Sequence, residues 1–149
     1  MDEKIQDFAQ SSSISKDFFY TFLGKYLGGG SGRNVFELKT DPTLVVKIEN
    51  TSYSFQNVIE NRVWEEVHWT KYKKYFAPVT YISPCGIILI QKKVEPAYKK
   101  DLPKKIPAFL NDIKAENFGM LDGKFVCFDY GTYIITGNLS NKMKKAEWR

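Results

Sequence analysis

Four short pieces of the chain carry residue types suited to holding a phosphate and moving one. The first is the glycine-rich stretch Leu27-Gly28-Gly29-Gly30-Ser31-Gly32-Arg33-Asn34-Val35. Residues without a Cβ let backbone N–H groups approach phosphate oxygens. The second is Val45-Val46-Lys47, a cation in an apolar run. A lysine at a buried strand position needs a partner, whereas a lysine guarding an edge strand would read the same way. The third is a carboxylate in the next segment, Glu60, with Glu65 and Glu66 as competing candidates. It would pair the lysine and fix its rotamer. The fourth is Asp112-Ile113-Lys114-Ala115-Glu116-Asn117, followed by Asp129-Tyr130-Gly131. Asn117 and Asp129 offer hard oxygen donors for Mg²⁺, and Asp112 can accept the proton of an incoming hydroxyl. That set is a parts list for phosphoryl transfer.

The pieces differ in specificity. A glycine cluster alone is equally a hairpin tip. Asp-Tyr-Gly alone is a plain turn, and a helix glutamate alone is a solvated side chain. Asp-x-Lys-x-x-Asn, by contrast, arises by chance about once in 8,000 positions. Its coincidence with Asp-aromatic-Gly beyond a short hairpin is rarer still.

The elements that must position these residues follow from periodicity. Residues 27–49 read as strand, glycine loop, strand, a turn at Thr40-Asp41-Pro42, and strand, in an antiparallel meander. Residues 56–76 have helical spacing with no Gly or Pro, which predicts a helix of about four to five turns. Strands are expected near Val79–Ile82 and over Ile87–Gln91. Pro96, Pro103 and Pro107 leave no room for a normal helix between Lys92 and Asn111. Residues 118–136 predict a hairpin turning at Asp122-Gly123. Phe18, Phe19, Phe22 and Leu23 suit a short amphipathic helix, and the basic tail from Asn141 is expected to be frayed or helical.

At these residues the chain resembles the protein kinase superfamily. Asp112 to Asn117 is similar to the catalytic loop Asp-Leu-Lys-x-x-Asn, and Asp129-Tyr130-Gly131 to the metal-binding Asp-Phe-Gly. Val45-Val46-Lys47 looks like the Val-Ala-Ile-Lys strand. Ile88 to Val94 resembles the strand and hinge that hold adenine. Small kinase-like proteins of phages and mobile elements come nearest, sharing an Asn-x-x-Glu helix and Asp-Tyr-Gly. The resemblance spans about residues 23 to 131. It implies ATP and Mg²⁺ as ligands. Gly28 and Gly30 would cover the phosphates, Lys47 would contact them, and Glu60 would hold Lys47. Asp112 would be the base, Lys114 would steady the phosphoryl group, and Asn117 and Asp129 would bind the metal. Leu27, Val35 and Val45 would wall the adenine, with Val94 presenting its backbone.

The departures also inform. Arg33 stands at the third glycine, and Leu110-Asn111-Asp112 replaces His-Arg-Asp. Only 16 residues, 96 to 111, lie between the hinge and Asp112, and 18 follow Gly131. The expected fold is therefore α+β: a kinase-like N-lobe of antiparallel sheet plus one main helix, with a strongly reduced C-lobe. The expected organisation is an N-terminal extension (1–22), a kinase-like domain (23–136, divided at 94/95) and a basic tail (137–149).

Composition bounds the rest. The 149 residues carry a net charge of +5, 43% hydrophobic and 15% aromatic content, which suits a globular chain. Ile87-Ile88-Leu89-Ile90 is far short of a membrane span, and the N-terminus has no signal-peptide pattern. These features predict a cytoplasmic protein without membrane contact. Cys85 and Cys127 are expected as buried free thiols. With His68 as the one histidine, neither a His/Cys zinc site nor a Ser-His-Asp triad is expected. The leading function is ATP- and Mg²⁺-dependent phosphoryl transfer to a hydroxyl of a host protein or of the chain itself, through Ser11, Ser12, Ser13 or Tyr20. The alternative is a catalytically silent scaffold that regulates a partner. A reduced C-lobe would leave apolar surface for a homodimer or partner. Basic clusters at Lys99–Lys105 and in the tail lack aromatic interleaving, which disfavours nucleic acid.

Overall fold

A computed structural model describes residues 13–50, 54–133 and 139–149. The chain is α+β, with two α-helices and mostly antiparallel strands among the described residues. It forms two compact units. The first takes the chain up to Asn57 together with Thr80–Lys93, and the second takes Val58–Val79 and Val94–Arg149. Ser11 and Ser12 lie outside the described residues.

The first unit opens with helix α1 (Ser13–Phe22), which runs directly into strand β1 (Leu23–Gly29). Strands β2 (Arg33–Leu38) and β3 (Asp41–Glu49) complete the meander. Strands β4 (Val79–Ile82) and β5 (Ile88–Lys92) extend the sheet in the order β1-β2-β3-β5-β4. Alternation decides the two faces. Phe36 pairs with Val46 in register, and both join Leu23 and Ile48 in a core that Phe19, Tyr26 and Ile88 flank. The other face carries Val35, Val45, Lys47, Leu89 and Gln91, through the pairs Val35–Lys47, Lys47–Leu89 and Val45–Gln91. At one margin the Lys93 ammonium donates to Glu37 at 2.6 Å, and this hydrogen bond holds the Glu37 carboxyl below its ordinary range.

Helix α2 (Gln56–Val67) begins in the first unit and continues in the second. Its buried stripe is Asn57, Glu60, Val63 and Val67, so half of that stripe is polar. The helix ends sooner than residues 56–76 predict. Thr70 Oγ1 donates to the Val67 carbonyl at 2.7 Å and accepts the Tyr72 N–H at 3.1 Å, so a separate 3-10 turn, Lys71–Tyr75, starts there. This side-chain capping competes with continued α-helix.

In the second unit, β6 (Glu95–Pro96), β8 (Phe118–Leu121) and β9 (Lys124–Cys127) form one sheet. Asp122 and Gly123 turn the β8–β9 hairpin with φ of 50° and 74°, as a two-residue turn of this type requires. Between the prolines lie only a 3-10 turn (Lys99–Asp101) and β7 (Lys105–Pro107). The core is aromatic: Phe76 contacts the rings of Phe109, Tyr130 and Tyr133 at 6.1, 5.1 and 6.3 Å. Burial pushes the Tyr133 hydroxyl far up, so it stays protonated beside the Cys127 thiol.

Two expectations are corrected. Cys127 is buried but Cys85 is exposed, because it sits in the β4–β5 turn that closes through the Gly86 N–H to Ser83 carbonyl bond. The tail is neither frayed nor helical over Met143–Lys145. These residues form β10, paired antiparallel with β7. Among the described residues no helix is long and apolar enough to cross a membrane.

Gly119 tests the hairpin's packing. A Cβ there would collide with the Glu95 carbonyl oxygen and Val94. Gly119→Ala is expected to lower stability by about 2 kcal/mol in chemical denaturation. Gly30→Ala, whose Cβ meets nothing within 4 Å, should change it by less than about 0.5 kcal/mol.

Candidate functional site

The site residues fall into two sets, one in each compact unit. In the first, the glycine loop joins β1 to β2. Gly28 has φ +155°, a conformation side chains rarely adopt, and a Cβ on Gly28 or Gly30 would meet nothing within 4 Å. Neither position has atoms crowding its Cβ side, while the Gly30 N–H itself donates to the Arg33 carbonyl at 3.0 Å. The loop's carbonyls are engaged from behind. Asn50 Nδ2 donates to the Gly30 and Ser31 carbonyls at 3.0 and 3.4 Å, and Ser54 Oγ donates to that of Gly32 at 3.4 Å. Asn34 Nδ2 in turn donates to Asn50 Oδ1.

Lys47 lies in β3, flanked by β2 and β5, so it is not an edge-strand lysine. It is 3% exposed and shares its sheet face with Val35 and Val45. Leu27, the other expected wall residue, is exposed at 41% on β1. Val94 falls in the second unit, beside Gly119.

Sequence reasoning left Asn57 without a role, yet it organises this unit. Its side chain is fully buried. Nδ2 donates to the Lys47 carbonyl at 3.2 Å and to that of Ile87 at 2.8 Å, while Oδ1 accepts from Arg33 Nη1 at 3.2 Å. Its own N–H donates to Glu49 Oε1 at 2.6 Å, so a carboxylate caps the start of α2. The only hint in the sequence was the Asn-x-x-Glu spacing. Arg33 also gains a reason. It departs from the glycine pattern because its guanidinium is buried against Asn57 and anchors the loop's end.

The second unit brings Glu60, Asp112, Lys114, Asn117 and Asp129 onto connected segments. Among the three candidate glutamates, Glu60 alone is fully buried, and its Oε2 accepts the Tyr130 N–H at 3.2 Å. It thereby fixes the Asp129-Tyr130-Gly131 turn. Glu65 instead accepts from Asn61, and Glu66 pairs with Arg62, both along the exposed helix surface. His68 Nδ1 lies 3.1 Å from the Trp64 and Glu65 carbonyls, so that nitrogen carries the proton and caps the helix end.

Asn117, 6% exposed, is the joint of this set. Its Nδ2 donates to Asp112 Oδ2 at 3.0 Å. Its carbonyl accepts the N–H groups of Phe128 at 2.9 Å and Asp129 at 3.4 Å. With Nδ2 turned to Asp112, Oδ1 is the atom Asn117 can offer a cation. Lys114 Nζ stands 3.9 Å from Asp112 Oδ2. Among the described residues no three His, Cys, Asp or Glu side chains cluster as a metal cage. One amide oxygen and one carboxylate still fit Mg²⁺, which binds through few protein oxygens plus phosphates and water.

Sequence reasoning also missed Arg149, whose Nη2 lies 3.6 Å from Asp112 Oδ1. Nothing in its spacing from Asp112 signals that contact.

In comparisons with known proteins, no family profile matches the chain and no curated protein matches it significantly.

Asn57→Ala would remove three hydrogen bonds, one to the Arg33 guanidinium and one each to the Lys47 and Ile87 carbonyls. It is expected to cost at least about 2 kcal/mol by denaturant titration.

Proposed function

We propose that the chain is a minimal protein-kinase-like phosphotransferase that moves the γ-phosphoryl group of ATP to a protein hydroxyl. The observation that carries this reading is the Asn117 joint, which links Asp112 to Asp129 through one buried side chain and its carbonyl. Asp112 then serves as acceptor of the hydroxyl proton, close to the incoming oxygen. The hydroxyl oxygen bonds to the γ-phosphorus as the bond from that phosphorus to the bridging oxygen breaks, and ADP leaves. Lys114, whose ammonium lies 3.9 Å from Asp112 Oδ2, would offset charge on the transferred group. Asn117 Oδ1 and Asp129 would hold Mg²⁺, which supplies charge neutralisation on the phosphates when bound.

The first unit supports the same reading. Free space on the Cβ side of Gly28 and Gly30, with the Gly30 and Ser31 carbonyls hydrogen-bonded to Asn50, suits a phosphate cover, since free carbonyl oxygens would repel the anion. Lys47 would contribute the cation. Val35 and Val45, on the face of Lys47, and Leu27 would wall the base. The acceptor is a host protein or the chain itself.

A second reading is a silent kinase-like scaffold. The observation favouring it is exposed aromatic surface on the second unit, where Trp69 is 87% and Tyr98 73% exposed, which suits a partner or a second copy.

Calorimetric titration with ATP discriminates the two. Mg²⁺-dependent saturation is expected. It should vanish in Asp129→Ala and weaken by about tenfold or more in Lys47→Ala, the worth of one charge-assisted contact. Absence of saturation at millimolar ATP would transfer the weight to the scaffold.

A further inference from the structure

We infer that the segment Met143–Arg149 is a clamp on the Asp112 loop, and that Arg149 is the positioning residue for the Asp112 carboxylate. The importance given to Asp112 rests on the phosphotransferase reading, but the clamp is argued from contacts within the second unit alone.

Three layers of contact build it. The first is sheet pairing. β10 sits on β7 with Met143 opposite Pro107 and Lys145 opposite Lys105, and the pairing is extended by Ala146 N–H to the Lys104 carbonyl at 3.0 Å. The second is an aromatic anchor. The Trp148 indole N–H donates to the Pro103 carbonyl at 2.9 Å, and its ring meets Phe118 and Phe125 edge-on at 5.2 and 5.7 Å. The third reaches the loop itself. Arg149 N–H donates to the Ile113 carbonyl, and Ala115 N–H donates to the Arg149 carbonyl, each at 3.2 Å. Reciprocal bonds of this kind bracket Lys114, which is extended at φ −98° and ψ 130° just ahead of a 3-10 turn over Ala115–Asn117.

The side chains complete the arrangement. Arg149 Nη2 stands 3.6 Å from Asp112 Oδ1, and Asn117 Nδ2 stands 3.0 Å from Oδ2. The carboxylate is therefore oriented from both oxygens by residues 32 positions apart. A single exposed ion pair would orient it weakly. Here the residue carrying the guanidinium is hydrogen-bonded to the loop through both its N–H and its carbonyl, which keeps the exposed side chain within reach of the carboxylate. β10 and the residues after it thus support the loop from outside its own segment.

The test uses the full chain with Trp148→Ala, Arg149→Ala and Arg149→Lys. Hydrogen exchange should show the Ala115 amide at least about tenfold faster in Trp148→Ala, with amides of β2 and β3 unchanged. In Arg149→Ala the backbone bridge remains. The Asp112 side-chain carbon resonance should shift, and Arg149→Lys should restore much of it. If transfer is measurable, Arg149→Ala should lower kcat about tenfold with KM for ATP unchanged. Unchanged exchange at Ala115 together with an unmoved Asp112 resonance would overturn the clamp. A shifted resonance in a chain that transfers no phosphate would uphold the clamp and count against the phosphotransferase reading instead.

Discussion

A buried carboxamide has two donor hydrogens and an acceptor oxygen to satisfy, and Asn57 satisfies them on three separate segments. It ties the carbonyl of Lys47 in β3, the carbonyl of Ile87 before β5 and the guanidinium of Arg33 at the end of the glycine loop. Each tie replaces a hydrogen bond to water, and together they link three segments through one side chain. That link fixes the start of α2 against the sheet strand that carries Lys47. It also explains why an arginine occupies a position where glycine was expected. Asn117 does similar work in the second unit, where one carboxamide and its carbonyl connect Asp112 to the turn at Asp129. Both units thus hold their chemically capable residues through buried amides rather than through apolar packing alone.

The economy of the second unit follows from the same logic. With prolines at 96, 103 and 107, the segment before Asp112 forms short strands and turns in place of helices. Short strands bury little surface each, and the unit compensates with aromatic rings: Phe76, Phe118, Tyr130 and Tyr133 are all at most 2% exposed. Tyr130 joins this core through its ring and its hydroxyl, which donates to the Ala77 carbonyl at 2.6 Å. The residue between Asp129 and Gly131 is therefore a core residue, and its N–H is held by Glu60. Packing and polar contacts converge on the same three residues.

Much of this was legible in the residues. Alternation and turn chemistry located the meander, and Asp122-Gly123 located the β8–β9 hairpin, because φ > 0 at both turn positions favours that pair. The position of Lys47 in a central strand was open to either reading from the residues alone, since its β5 neighbour Leu89 comes from 42 positions downstream. The end of α2 was misplaced because Thr70 is compatible with helix by periodicity and breaks it through its side chain. Arg33, Asn57 and Arg149 were invisible for one reason. Their partners are distant in sequence, and a polar residue's burial depends on what the tertiary structure places beside it. The β10 segment was misjudged because its lysines look solvated, while the strand pairs through backbone groups that carry no residue signature.

Phosphate transfer by the Asp112 set, as proposed, is measured most directly by incorporation of label from γ-labelled ATP into protein hydroxyls, located by mass spectrometry. Mg²⁺-dependent labelling by the intact chain is expected, with its loss in Asp112→Asn while ATP still binds. Labelling that persists undiminished in Asp112→Asn, or no labelling by a chain saturated with ATP and Mg²⁺ and supplied with host protein, would contradict it.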